Sequence, residues 1–314
     1  MKIVFIGTPE FAVASLEALI AAGEDIVGVI TAPDKPARRG KKLQGSAVKL
    51  CAVKHDLTLL QPTNLKDLDF LGALKALNAD LQIVVAFRMM PEAVWNMPKL
   101  GTFNLHGSLL PQYRGAAPIN WAIMNGEKET GVTTFFLKHE IDTGSIIDQE
   151  KAAIGSDENV GDVYTRLMHI GASLVVRTVG RIKEDNYTLT NQEDLLTQLP
   201  AVKDAPKLNK EICNIDWNQP IEQLHNHIRG LSPYPCAFTS VLVDDSVLKL
   251  KLYSSSISKE FESKQPKIVL EKKRLGVSNS SGTIWINELQ LEGKKRMDTA
   301  SFLAGLKSKI TLNL

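Results

Sequence analysis

The chain has 314 residues, 44% of them hydrophobic and 23% charged, and a formal net charge of +2. That is an ordinary globular composition with length for two domains, and it excludes a disordered or fibrous chain. Near-neutrality excludes a uniformly polycationic protein, so any nucleic-acid contact must come from local basic patches. No stretch approaches the roughly 20 apolar residues of a membrane span. Cys51, Cys213 and Cys236 are far apart and odd in number, which points to a reducing cytoplasm and to no zinc site.

Residues 3–6 form a short apolar run that reads as a first strand and not as a signal peptide. Thr8 is placed to cap a following helix, with Pro9 at its first position and Glu10 near its positive end. Phe11, Ser15, Leu16, Leu19 and Ile20 give that helix an apolar face. Further strands are predicted at Asp25–Ile30, 57–61, 81–87, 101–105 and 131–138, with a helix near 69–77. This alternation predicts a mostly parallel, Rossmann-like sheet with helices on both faces. Asn159 then caps a long helix through about Ile182. A polar stretch with Pro200 and Pro206 follows and reads as a linker. After a helix near 221–228, short β-rich runs separated by turn residues predict a smaller OB-like barrel. The division is a catalytic domain at 1–184, a linker at 185–207 and the barrel at 208–314. No internal repeat is visible.

The chemistry concentrates in Asn104-Leu105-His106-Gly107-Ser108-Leu109-Leu110-Pro111 and, further on, Asp142-Thr143-Gly144. Asn104 and His106, two apart at the end of an apolar run, share one face of a strand. Open α/β sheets bind ligands at the carboxyl ends of their strands. A neutral imidazole can take a proton, an amide can donate to a developing oxyanion, and a carboxylate can orient the imidazole. Together they suit acyl transfer without a covalent intermediate. Asp142 in isolation reads first as a simple turn residue or helix cap. His55, His139, His169, His225 and His227 lack such company. His225 and His227 fall two apart in a predicted helix, do not share a face, and read as structural.

Gly7-Thr8-Pro9-Glu10 sits where a dinucleotide-binding loop would, but lacks its glycine spacing, and Pro9 removes an amide donor. Residues 34–42 make a connection longer than the usual 2–6 or so residues and carry Lys35, Arg38, Arg39, Lys41 and Lys42. It is either a solvated loop or an electrostatic arm for phosphates. The small residues of Arg114-Gly115-Ala116-Ala117-Pro118-Ile119 permit either close approach to a ligand or a tight packing turn. Lys272-Lys273-Arg274 and Lys294-Lys295-Arg296 add basic clusters to the β-rich half; with the loop they make a shared polyanion plausible.

These motifs, with Ile215-Asp216-Trp217 and Gly293-Lys294-Lys295-Arg296-Met297, resemble the methionyl-tRNA formyltransferase family across essentially the whole chain. The 104–111 core with Asp142 is similar to all tetrahydrofolate-dependent formyltransferases and speaks for the chemistry. The 115–118 run, the basic loop and the β-rich domain speak for the acceptor. The resemblance implies a Rossmann-like domain followed by an OB-like tRNA-binding barrel. It implies transfer of a formyl group from 10-formyltetrahydrofolate, a co-substrate, to the α-amine of methionyl initiator tRNA, with no metal and no stable protein partner. On that resemblance Asn104, His106 and Asp142 are catalytic, Ser108, Leu109, Leu110 and Pro111 bind folate, and Arg39, Lys41 and Lys42 bind tRNA. The chain departs from many members at Phe87-Arg88-Met89-Met90-Pro91, where Arg88 either faces solvent or touches the folate. Two alternatives are a formyltransferase for an amino sugar nucleotide or other small amine, and a non-catalytic RNA-binding protein on the same fold. The basic loop with the β-rich domain argues against the first, and the intact Asn104, His106 and Asp142 against the second.

Overall fold

The computed structural model describes residues 1–36, 43–197, 199, 201–244, 246–306 and 309–313. They form two compact units, one of Met1–Gly115, Thr130–Ala152 and Tyr164–Asp204, the other of Ala116–Glu129, Ala153–Val163 and Ala205–Leu314. Residues 185–204, linker-like by composition, therefore fall in the first unit. Residues 116–129 and 153–163 fall in the second.

The first unit is built on a seven-stranded sheet. Its strands are β1 (Lys2–Gly7), β2 (Asp25–Ile30), β3 (Leu59–Leu60), β4 (Leu81–Val85), β5 (Thr102–His106), β6 (Glu129–Phe136) and β7 (Ile146–Ala153), in the order β7-β6-β5-β4-β1-β2-β3. From β3 to β5 every pairing is parallel. Ile3, Val4, Phe5 and Ile6 of β1 are all fully buried, the continuous apolar run expected of a parallel strand covered on both faces. The sheet grows outward through β2 and β3, then reverses through β4 and β5, so its switch point lies between β1 and β4. There Gly7 is required: a Cβ would lie 2.9 Å from the Val85 carbonyl oxygen and 2.6 Å from Ala12 Cβ.

The sheet is mostly parallel, as expected, and one expectation, a helix cap at Thr8, is corrected. β6 pairs with β5 in antiparallel fashion, Asn104 opposite Phe135 and His106 opposite Thr133, so the parallel series stops at β5. β7 carries Asp148-Gln149-Glu150-Lys151 at its centre, and this polar run hides the strand from any apolar pattern. The helix α1 (Glu10–Ala21) begins one residue after Pro9, whose backbone is extended. Thr8 lies outside it, and the first-turn Phe11 amide donates instead to the Tyr164 hydroxyl at 3.1 Å. By contrast α2 (Ala47–Lys54) is capped by Ser46, whose Oγ accepts from the Lys49 amide, and α3 (Leu68–Ala76) by Asp67.

In the second unit, α4 (Pro118–Met124) lies against α5 (Ile221–Leu231), and Asn120 donates to the Gly230 carbonyl at 2.8 Å. Its sheet comprises β8 (Ala237–Val243), β9 (Ser246–Ser258), β10 (Lys267–Glu271), β11 (Arg274–Asn279), β12 (Gly282–Leu291), β13 (Met297–Asp298) and β14 (Ile310–Leu312). The order is β10-β11-β12-β9-β8-β14, with β13 on β12, all antiparallel. The outer strands β10 and β14 contact each other, nearly closing a barrel. Trp217, Leu252, Ile284, Ile286 and Phe302 fill its core. Trp217 Nε1 donates to Thr239 Oγ1 at 3.0 Å, satisfying its polar atom inside that core.

Candidate active site

The site of the first unit is built at the carboxyl end of β5, beside the switch point. Alternation along β5 buries Phe103 and Leu105 and turns Asn104 and His106 together to one face. His106 is 6% exposed. Its Nε2 lies 2.8 Å from the Tyr113 carbonyl oxygen. A carbonyl only accepts, so Nε2 carries the proton and the neutral ring keeps its lone pair on Nδ1. Nδ1 is 3.8 Å from Asp142 Oδ2. That is beyond a hydrogen bond. Asn104 is half-buried, and its carboxamide has no hydrogen-bond partner among the described residues. It is the free polar group of the site.

Asp142 sits in the turn between β6 and β7 with φ of 56°, a left-handed conformation that disfavours side chains but suits Asp better than most. Its Oδ2 accepts from the Gly115 amide at 3.0 Å. Two residues on, Gly144 is obligatory, because a Cβ there would lie 1.6 Å from the Phe136 carbonyl oxygen.

The 108–111 segment is held from within. Ser108 Oγ donates to the Gln112 carbonyl at 2.6 Å. Thr133 Oγ1 donates to the Ser108 carbonyl at 2.6 Å and accepts from the Leu110 amide at 3.1 Å and from Gln149 Nε2 at 2.9 Å. Gln149 Nε2 also donates to the Leu110 carbonyl at 2.9 Å. Ser108, Leu110 and Pro111 are buried and Leu109 is partly exposed. Three of the four predicted folate-binding side chains thus face protein, leaving backbone and Leu109 to meet a ligand. Arg88 points elsewhere: its guanidinium donates to the carbonyls of Pro62 at 2.7 Å and Thr63 at 3.1 Å.

Sequence reasoning missed Thr133, Gln149 and Gln192. Gln192, fully buried, opens a short helix (Gln192–Leu196) in the linker-like segment. No local pattern announces it. Arg39, Lys41 and Lys42 lie outside the described residues. Among the described residues, Glu17, Cys51 and His55 bring three metal-type donor atoms within 4.8 Å of one another. The carboxylate is already taken by Lys54 and His55, each at 2.9 Å. Burial, helped by Glu17, pushes the Cys51 thiol up to about 11. The cluster is a charge-paired junction of α1 and α2. No helix among the described residues is long and apolar enough to cross a membrane.

An amide, an imidazole and a carboxylate thus lie around one strand end of a Rossmann-like sheet, groups suited to acyl transfer. A formyl transferase family model matches residues 1–179 and a formyl transferase C-terminal domain model residues 207–307. A methionyl-tRNA formyltransferase of Flavobacterium johnsoniae is 52% identical over 98% of this chain and 96% of its own length. One of Bacteroides fragilis is 51% identical over 97% and 95%. The chain belongs to the methionyl-tRNA formyltransferase family. Its fold is shared by an N-formyltransferase from Helicobacter canadensis solved with folinic acid and dTDP-3-aminofucose. That match has a TM-score of 0.65 at 21% identity and covers 95% of this chain and 100% of the other.

Proposed function

We propose that this enzyme transfers the formyl group of 10-formyltetrahydrofolate to the α-amino group of methionyl initiator tRNA, in the cytoplasm. The observation that carries the reading is the full-length match, at about half identity, to relatives named for this reaction, together with the unpartnered Asn104 beside His106 and Asp142. The folate supplies an activated formyl carbonyl. Asn104 donates its amide N–H to the carbonyl oxygen as the amine adds and negative charge collects there. His106, protonated on Nε2 by its bond to Tyr113, offers Nδ1 to the proton leaving the amine, directly or through water. Asp142 stabilises the imidazolium so formed, and the proton then passes to the folate nitrogen as its bond to the formyl carbon breaks. Leu109 and the backbone of 108–111 bear on the folate. Arg39, Lys41 and Lys42 engage the acceptor end of the tRNA, and the barrel adds basic surface.

Formyl transfer to a small amine is the reading to eliminate, since the Helicobacter canadensis protein of the same fold was solved with an amino sugar nucleotide. Labelled formyl from 10-formyltetrahydrofolate should appear on charged initiator tRNA. Little should appear on elongator methionyl-tRNA or on a nucleotide-linked amino sugar. Preferential labelling of the amino sugar would overturn the acceptor assignment.

A further inference from the structure

We infer that Gln192 is a positioning residue for the active site, locking the Asp142 turn to Arg114. All four hydrogen-bonding valences of its carboxamide are used. Oε1 accepts from Arg114 Nε at 3.0 Å and Nη2 at 2.7 Å. Nε2 donates to the carbonyl of Asp142 at 2.9 Å and to that of Gly144 at 2.7 Å. Next to Arg114, the Gly115 amide donates to Asp142 Oδ2. The contacts therefore close a ring: Gln192 to Arg114, along the chain to Gly115, across to the Asp142 carboxylate, and through its carbonyl back to Gln192. The segment that delivers Gln192 is itself strapped down, because Thr190 and Ile146 exchange backbone hydrogen bonds at 2.8 and 2.9 Å. Asn191 caps the short helix Gln192–Leu196.

The ring is needed because the Asp142 carboxylate reaches His106 at 3.8 Å from a left-handed backbone position. Such a conformation persists only where its surroundings over-determine it. A glutamine suits the task where glutamate does not. The amide meets two carbonyl oxygens and a guanidinium at once, while a carboxylate could satisfy only the guanidinium. Gln192→Glu thus cuts the carbonyl arm and keeps the Arg114 arm, and Gln192→Met cuts both at similar volume.

This inference rests on the formyl-transfer reading for its kinetic test but not for its structural one. Both variants should lower kcat about tenfold or more and leave KM for 10-formyltetrahydrofolate within about twofold. In an Asp142→Ala background neither should lower kcat further, because residues acting through one another are not additive. An additive loss, or one confined to KM, would overturn the assignment. So would a Gln192→Glu enzyme with wild-type kcat, which would make Arg114 the only group served. Amide hydrogen exchange without substrate gives a second arm. The peptide spanning 138–146 should exchange faster in either variant, while β1 and β4 stay protected. Unchanged exchange there would sink the idea whatever the acceptor proves to be. Failure of the wild-type enzyme to formylate tRNA, with faster exchange in the variants, would remove the proposed function and leave the clamp standing. Should Gln192→Met not fold, Gln192→Glu decides both arms alone.

Discussion

The β5 end of the first unit and the barrel of the second use polar side chains in opposite ways. At β5 nearly every polar atom is spent on holding backbone: Thr133, Gln149, Gln192 and Ser108 all bind carbonyls or amides. The Asn104 carboxamide and the Nδ1 of His106 are not spent in this way. On the barrel two arginines stand over aromatic rings. Arg274 stands 3.8 Å from the Trp285 ring centroid and Arg296 4.1 Å from that of Tyr253. Arg296 also pairs with Glu288, and Arg274 with Glu271. Lys272, Lys273, Lys294 and Lys295 beside them are exposed. A reaction needs fixed geometry and tolerates no spare motion. A polyanion needs charge at roughly the right place, and sequence-independent phosphate contacts supply it. On the proposed reading, the contrast is between a site where one ångström matters and a surface where one charge matters.

That contrast can be broken experimentally. His106→Ala should have the largest effect, a fall in turnover of about 10²–10⁴ at saturating substrates. Asn104→Ala should cost about 10²–10³ as a lost oxyanion donor. Either variant turning over near the wild-type rate while folded would remove its assigned role. Asp142→Ala should slow single-turnover transfer while leaving tRNA affinity nearly intact, since a carboxylate gains nothing from phosphates. A variant that binds tRNA poorly yet reacts normally at high tRNA would reverse that assignment. Gly144→Ala should destabilise the first unit by more than the roughly 1–3 kcal/mol usual for overpacking, because the obstacle is backbone. Denaturant melts would show it. Smallest of all, Arg39→Ala and Arg296→Ala should each raise KM for tRNA a few-fold and lower the salt slope of binding by about one. Neither should change folate binding. An effect on kcat instead would erase the distinction between site and surface.

Much of this was legible in the chain itself. Apolar runs placed β1, β2 and β4, and the spacing of Asn104 and His106 put the two on one face of β5. The capping box at the start of the long helix (Val160–Lys183), Asn159 accepting from the amides of Gly161 and Asp162, follows the sequence signal. What stayed hidden has one physical origin. Gln192 reaches Asp142 across 50 residues of chain, and Thr133 reaches Ser108 across 25. No local pattern encodes a side chain whose partner is a distant carbonyl. The polar centre of β7 was hidden for a related reason: Asp148 pairs with Arg177 and Arg181 from the long helix, so its burial comes from ion pairing and not from apolar content. Ile215-Asp216-Trp217 reads as a family motif, yet the Trp217 ring is barrel core and Asp216 binds its own neighbours Asn218 and Gln219.

The Thr133 hydroxyl has one proton and two lone pairs, and all three are engaged on the 108–111 segment and Gln149. A loop wired to a saturated hub has no second arrangement of comparable energy, so its shape exists before any ligand arrives. In calorimetric terms, folate captured there, as proposed, should look like docking and not like folding. The heat-capacity change should match the apolar area covered, without the excess that marks ordering of a disordered segment. Thr133→Val, which keeps the shape and removes the hydroxyl, should make that excess appear.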